Sequence, residues 1–115
     1  MKAWVCKTYG VPSVLKLSEH DVKRPAPNEV RIKLDCAGVN YPDLLSIAGT
    51  YPIKSLPPFV PGIEGAGEVI ECGSGVSRLK LGDRVCWQEN VVKGAFATEA
   101  TLPEVGLALV PASVR

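Results

Sequence analysis

The sequence predicts a mainly β fold, a barrel or sandwich, on three observations. Short alternating or β-rich segments recur about every ten residues. Ten prolines and eleven glycines are dispersed among them as punctuation rather than gathered into a linker. No helical period of ordinary length runs through the 115 residues, which amount to about one domain.

The elements follow in order. Ala3-Trp4-Val5-Cys6 reads as an opening strand, and Lys16-Leu17 as a short one. Pro25-Ala26-Pro27-Asn28-Glu29 is a turn, since two prolines fix their φ angles and remove two donors. Val30, Ile32, Leu34 and Cys36 then alternate with Glu29, Arg31, Lys33 and Asp35, the clearest half-buried strand in the chain. Asn40 to Gly49 predicts one or two turns of helix, with Pro42 at the first helical position, Asp43 in the first turn and Gly49 just past the end. Pro52 to Pro61 holds four prolines and reads as an irregular loop. Glu68 to Cys72, Arg84 to Trp87, Phe96 to Thr101 and Leu107 to Val110 complete seven or eight strands.

Composition excludes several classes. The net charge is +1 and no basic run is present, so nothing points to a nucleic-acid partner. No apolar stretch approaches the ~20 residues needed to span a bilayer, and the first residues do not form a signal peptide, so a cytoplasmic protein is expected. Cys6, Cys36, Cys72 and Cys86 form no C-x-x-C pair, and His20 is the one histidine. Metal sites need clustered ligands, so no zinc site is expected; four buried or half-buried thiols in a reducing compartment are. His20, among polar neighbours, reads as a solvated surface residue.

Dinucleotide loops need G-x-G-x-x-G between a strand and a helix, and that motif is absent. Pro61-Gly62-Ile63-Glu64-Gly65-Ala66-Gly67 is glycine-rich but runs into a strand, which suits close backbone packing or a bend at a barrel entrance. Two carboxylates stand out, Asp43 and Glu64. Glu64 lies among small and apolar residues, so burial is expected. A buried carboxylate must be paired, with backbone amides or an arginine such as Arg84.

Val39-Asn40-Tyr41-Pro42-Asp43, Gly49-Thr50-Tyr51-Pro52, Pro61 to Val69 and Gly82-Asp83-Arg84-Val85 stand in register with one family. Over essentially its whole length the chain resembles the N-terminal GroES-like domain of medium-chain dehydrogenases/reductases. It is most similar to the zinc-free quinone oxidoreductase, or zeta-crystallin-like, branch. The resemblance implies a GroES-like, partly open β-barrel with one or two short helices across residues 1–115. It implies a Rossmann domain that binds NADPH, expected C-terminal to Arg115 and absent from this chain, and a homodimer when full length.

The resemblance also implies roles. Asn40 matches a cysteine ligand and Ile63 a histidine ligand of zinc alcohol dehydrogenases, so two of three zinc ligands are lost; Asp43 and Glu64 match carboxylates beside that zinc. Zinc-free relatives send hydride from NADPH to quinones or α,β-unsaturated carbonyls, whose conjugation carries the charge to oxygen. Asn40 and Tyr51 are the expected catalytic residues, and Asn40, Tyr41 and Tyr51 the expected cofactor contacts. Asn40 is expected to donate to the substrate oxygen or cofactor ribose. Leu45 stands where some relatives carry a tyrosine. The expected activity is that of an NADPH-dependent quinone or enone oxidoreductase when full length, the fragment alone being inactive. The alternative is a non-catalytic, reductase-like binding or scaffold module.

Overall fold

The computed structural model describes residues 1–21 and 23–114; Arg115, after which the second domain is expected, lies outside the described residues. Among the described residues there are seven strands and one α-helix: β1 (Lys2–Val5), β2 (Lys16–Glu19), β3 (Glu29–Ala37), α1 (Tyr41–Ala48), β4 (Glu64–Cys72), β5 (Arg84–Gln88), β6 (Glu99–Pro103) and β7 (Ala108–Leu109). Single 3-10 turns occupy Pro12–Val14 and Glu104–Gly106. The mainly β class and the partly open barrel are as the sequence predicts.

A five-stranded antiparallel sheet runs in the order β6-β3-β4-β5-β7, and β1 and β2 pair separately. The two sheets meet through the segment before β6. Trp4 N–H donates to the Phe96 carbonyl and Thr98 N–H to the Lys2 carbonyl, both at 2.8 Å. This corrects the expected strand from Phe96. Residues 96–98 pair with β1, and the chain changes partner at Thr98, whose carbonyl takes Leu34 N–H at 2.9 Å. That crossing turns a flat sheet into a barrel corner.

The alternation in β3 buries Val30 and Ile32 completely, against Val69, Val85, Trp87 and Leu102. Cys36 breaks the pattern and is exposed, contrary to the expectation of four sheltered thiols. The cause is a bulge: Leu34 faces Gly67 and Cys36 faces Ala66, so β3 spends one extra residue and its side-chain phase flips. A second irregularity, between Arg31 and Ile32, adds a residue on β4. All four cysteines are free. His20 is exposed, as expected.

β4 begins at Glu64 rather than Glu68, so the glycine-rich segment is itself strand. Its glycines answer to close approach, as the sequence suggests. A Cβ on Gly67 would lie 2.0 Å from the Lys33 carbonyl oxygen. Arg31, half-buried on β3, bridges the neighbouring strands, donating from Nε to Glu71 at 2.9 Å and from Nη1 to Glu99 at 2.7 Å. Such a cross-strand fork pins three strands in register.

Gly67→Ala should therefore force β3 and β4 apart and cost about 2–3 kcal/mol of stability. Urea unfolding followed by circular dichroism checks this; an unchanged midpoint would contradict the close approach.

Candidate functional site

The site begins where β3 ends. Gly38 N–H donates to the Glu64 carbonyl at 3.1 Å, extending the β3–β4 ladder by one step. Asn40 follows in extended conformation (φ −125°, ψ 159°) and caps α1. Helix starts leave amide donors unpaired, and Asp43 answers one of them. Its Oδ2 accepts Asn40 N–H at 2.7 Å, while its own N–H donates to the Asn40 carbonyl at 3.0 Å. Pro42 sits in the first turn, where a missing N–H costs nothing. The far end closes at Gly49, left-handed at φ 79°, with Thr50 and Tyr51 N–H both on the Leu45 carbonyl.

Asp43 is 1% exposed, and its second oxygen, Oδ1, has no partner among the described residues. Ser46 Oγ, one turn on, is likewise buried without a partner among them. Burial pushes the Asp43 carboxyl above its ordinary value, the Asn40 amide pulls it back in part, and the negative charge of Glu64 adds to the rise.

Glu64 opens β4. Its Oε2 accepts a hydrogen bond from Asn40 Nδ2 at 3.0 Å. This corrects two expectations: Glu64 is half-buried rather than buried, and its partner is the Asn40 amide, not Arg84, which donates instead to the Val114 carbonyl. Gly38 makes the space, since a Cβ there would stand 2.8 Å from Oε2. Ile63, the preceding residue, is 3% exposed and belongs to the core.

The sequence-predicted residues fall at opposite ends of the helix. Asn40 is at its N-terminus and Tyr51 just past its C-terminus; eight residues of α-helix rise about 12 Å. Tyr51 Oη donates to the Asn90 carbonyl at 2.9 Å, tying the proline-rich loop to the loop after β5. Tyr41, the first residue of α1, is 71% exposed. No hydrogen bond joins either tyrosine to Asn40 among the described residues.

Sequence reasoning missed two features. The Asn40–Glu64 bond is one, although each residue stands out separately. The other is a groove of about 750 Å³ lined by Trp4, Leu17, Leu34, Cys36, Val39 and Phe96. It borders the site through Val39 but includes none of Asn40, Tyr41 and Tyr51. The residues that could have signalled it are Trp4 on β1 and Leu17 on β2, large apolar side chains that stay 45% and 55% exposed.

The family described as alcohol dehydrogenase GroES-like domain matches residues 26–112. An alcohol dehydrogenase of Rhizobium meliloti is 44% identical over 85 residues, 74% of this chain and 24% of that protein. A quinone oxidoreductase of Pseudomonas aeruginosa is 39% identical over 103 residues, 90% of this chain and 31% of that protein. The crystal structure of Escherichia coli quinone oxidoreductase complexed with NADPH matches with a TM-score of 0.88 and 30% identity, over 100% of this chain and 35% of that one. The chain thus spans less than a third of the length of these two curated relatives.

The buried Asp43 yields a prediction with a definite sign. Its folded-state value lies above the ordinary 3.8, so between those two values the folded chain binds more protons than the unfolded one. Its contribution to stability is therefore present below pH 3.8 and declines as pH rises through the raised value. Asp43→Asn keeps an oxygen for Asn40 N–H and removes that decline. The stability of the variant relative to wild type should rise from about pH 4 to about pH 7 in urea titrations; a constant or falling difference would contradict it.

Proposed function

The chain belongs to the alcohol dehydrogenase GroES-like domain family, within the medium-chain dehydrogenases/reductases, and on that premise we propose that it is the substrate-side domain of an NADPH-dependent, zinc-free quinone or enone reductase. The observation that carries this reading is the Asn40–Glu64 hydrogen bond at 3.0 Å. It ties up one of the positions that match zinc ligands, while the other is the core isoleucine Ile63. An amide bound to a carboxylate and an alkyl side chain do not make a zinc site.

NADPH fits the residues present only as a partial guest, since the chain has no glycine-rich loop for a pyrophosphate. What it offers is Asn40, whose Nδ2 keeps a second hydrogen beyond the one given to Glu64, and Tyr41, which is largely exposed. NADPH bound there supplies a hydride. Asn40 hydrogen-bonds the substrate oxygen or the cofactor ribose. Tyr51 walls the nicotinamide end; its hydroxyl proton is engaged by Asn90, so it serves as a fixed pillar more readily than as an acid. The acceptor is a quinone or an α,β-unsaturated carbonyl, because such a substrate delocalises the arriving charge onto an oxygen that hydrogen bonds can stabilise without a Lewis acid.

In the full-length protein a C-terminal Rossmann domain binds the dinucleotide, the fragment alone is inactive, and the assembly is a cytoplasmic homodimer. One relative supports the choice of dinucleotide: the Escherichia coli quinone oxidoreductase was solved with NADPH. The scaffold reading has no observation in its favour here beyond the incomplete wall.

Two outcomes test the proposal. Full-length protein should oxidise NADPH with 1,2-naphthoquinone, and Asn40→Ala should lower turnover about tenfold or more while costing about 1–2 kcal/mol of stability from the altered helix start, too little to unfold the chain; no turnover with quinones or alkenals would reject the reading. Dialysed protein should hold far less than one zinc per chain by elemental analysis, and a stoichiometric content would overturn the ligand argument.

A further inference from the structure

We propose that Tyr9 is a positioning residue: its hydroxyl holds the proline-rich loop after α1, and through that loop it sets where Tyr51 stands. The inference rests on the function proposed above and adds to it a residue remote in sequence. Tyr9 is half-buried in the segment after β1, and its Oη donates to the Ser55 carbonyl at 2.7 Å.

The loop has little means of holding its own shape. Pro52, Pro57 and Pro58 have no N–H to donate. None of residues 52–58 belongs to a helix or a strand. Only the ends are pinned by backbone. Tyr51 N–H donates to the Leu45 carbonyl at 3.2 Å, and Phe59 exchanges two hydrogen bonds with Cys6, at 2.8 and 3.1 Å. Among the described residues, the Tyr9 hydroxyl is the sole hydrogen-bond partner of residues 52–58.

Tyr9 is itself braced. Gly10 N–H, next in the chain, donates to the Ile47 carbonyl in the last turn of α1 at 2.9 Å. Residues 6–10 therefore run from the end of the loop, at the Cys6–Phe59 bridge, to the end of the helix. The ring lies against Gly49, where a Cβ would stand 2.7 Å from its Cγ and 2.8 Å from its Cδ2. A planar ring so seated carries its hydroxyl at a fixed distance from the end of α1, and Ser55 is held there. Tyr51 lies between Gly49 and Ser55, the two points that this one ring engages. Without the Ser55 bond, residues 52–58 are free to move off α1, and Tyr51 loses its support on the C-terminal side.

The test uses full-length protein and Tyr9→Phe, which keeps the ring on Gly49 and removes only the hydroxyl. Lys54 is exposed and precedes Ser55, so trypsin reads the opening of the loop directly. Native-state cleavage between Lys54 and Ser55, followed by mass spectrometry, should run about five- to tenfold faster in the variant, the effect of one lost hydrogen bond on a local opening. The melting temperature should move little, because the opening is local. In protein labelled with 3-fluorotyrosine, the Tyr51 signal, assigned through Tyr51→Phe, should shift. KM for the quinone should rise about fivefold, since the acceptor must reach the nicotinamide end that Tyr51 walls. A mere loss of folded protein lowers kcat and leaves KM unchanged. In a Tyr51→Ala background, Tyr9→Phe should still speed cleavage but change KM no further.

Wild type without reductase activity would count against the proposed function alone, and cleavage and the fluorine signal would then decide this inference. Equal cleavage rates in wild type and Tyr9→Phe, or an unmoved Tyr51 signal, overturn it. So does a quinone KM that stays constant in the active enzyme, or one that rises equally with and without Tyr51.

Discussion

The β3–β4 ladder is the constraint on which the rest of the molecule depends. It occupies the middle of the five-stranded sheet, and its inner face carries Val30, Ile32 and Val69. Its two irregularities are opposite in sense, an added residue on β4 at one end and on β3 at the other. The second decides what happens at the site. Because the phase of β3 shifts after Leu34, the strand leaves its core-facing rhythm just before Gly38, where it runs against the first residue of β4. The Gly38–Glu64 contact is the last step of that ladder, and Asn40 and α1 hang from it. Packing in the sheet and geometry at the site are in this sense one property.

Two carboxylates converge on Asn40 and differ in their surroundings. Asp43 is enclosed, with one oxygen on an amide and the other without a partner among the described residues. Glu64 is half in solvent. A buried acceptor left unpaired costs about 1–3 kcal/mol, so the helix start is maintained against a local penalty.

Much of this was legible in the sequence, because the periodicities are short and the turn residues specific. β3 was plain from eight alternating residues. Gly49 marked the end of α1, since a left-handed residue was needed there. What the sequence concealed was the consequence of long-range pairing. Nothing local to Asp35 announces a bulge, so the alternation puts Cys36 on the sheltered face, whereas it lies outside. Nothing local to Phe96 tells that it pairs with β1 before β6 begins. Asn40 and Glu64 were each conspicuous, but their separation of 24 positions hid the contact until β3 and β4 were aligned. Register, rather than propensity, is the missing information.

The groove beside the site has a spectroscopic consequence. Of the two indoles, Trp87 is 5% exposed and packed over Gly65, while Trp4 is 45% exposed on the groove wall. Their emission is therefore separable: a dry, blue-shifted fluorophore inside the barrel and a wet, red-shifted one on its flank. Acrylamide reaches the second before the first. Whatever settles into the groove dims or shifts Trp4 while Trp87 continues to report the integrity of the barrel, so one emission spectrum distinguishes occupancy from unfolding.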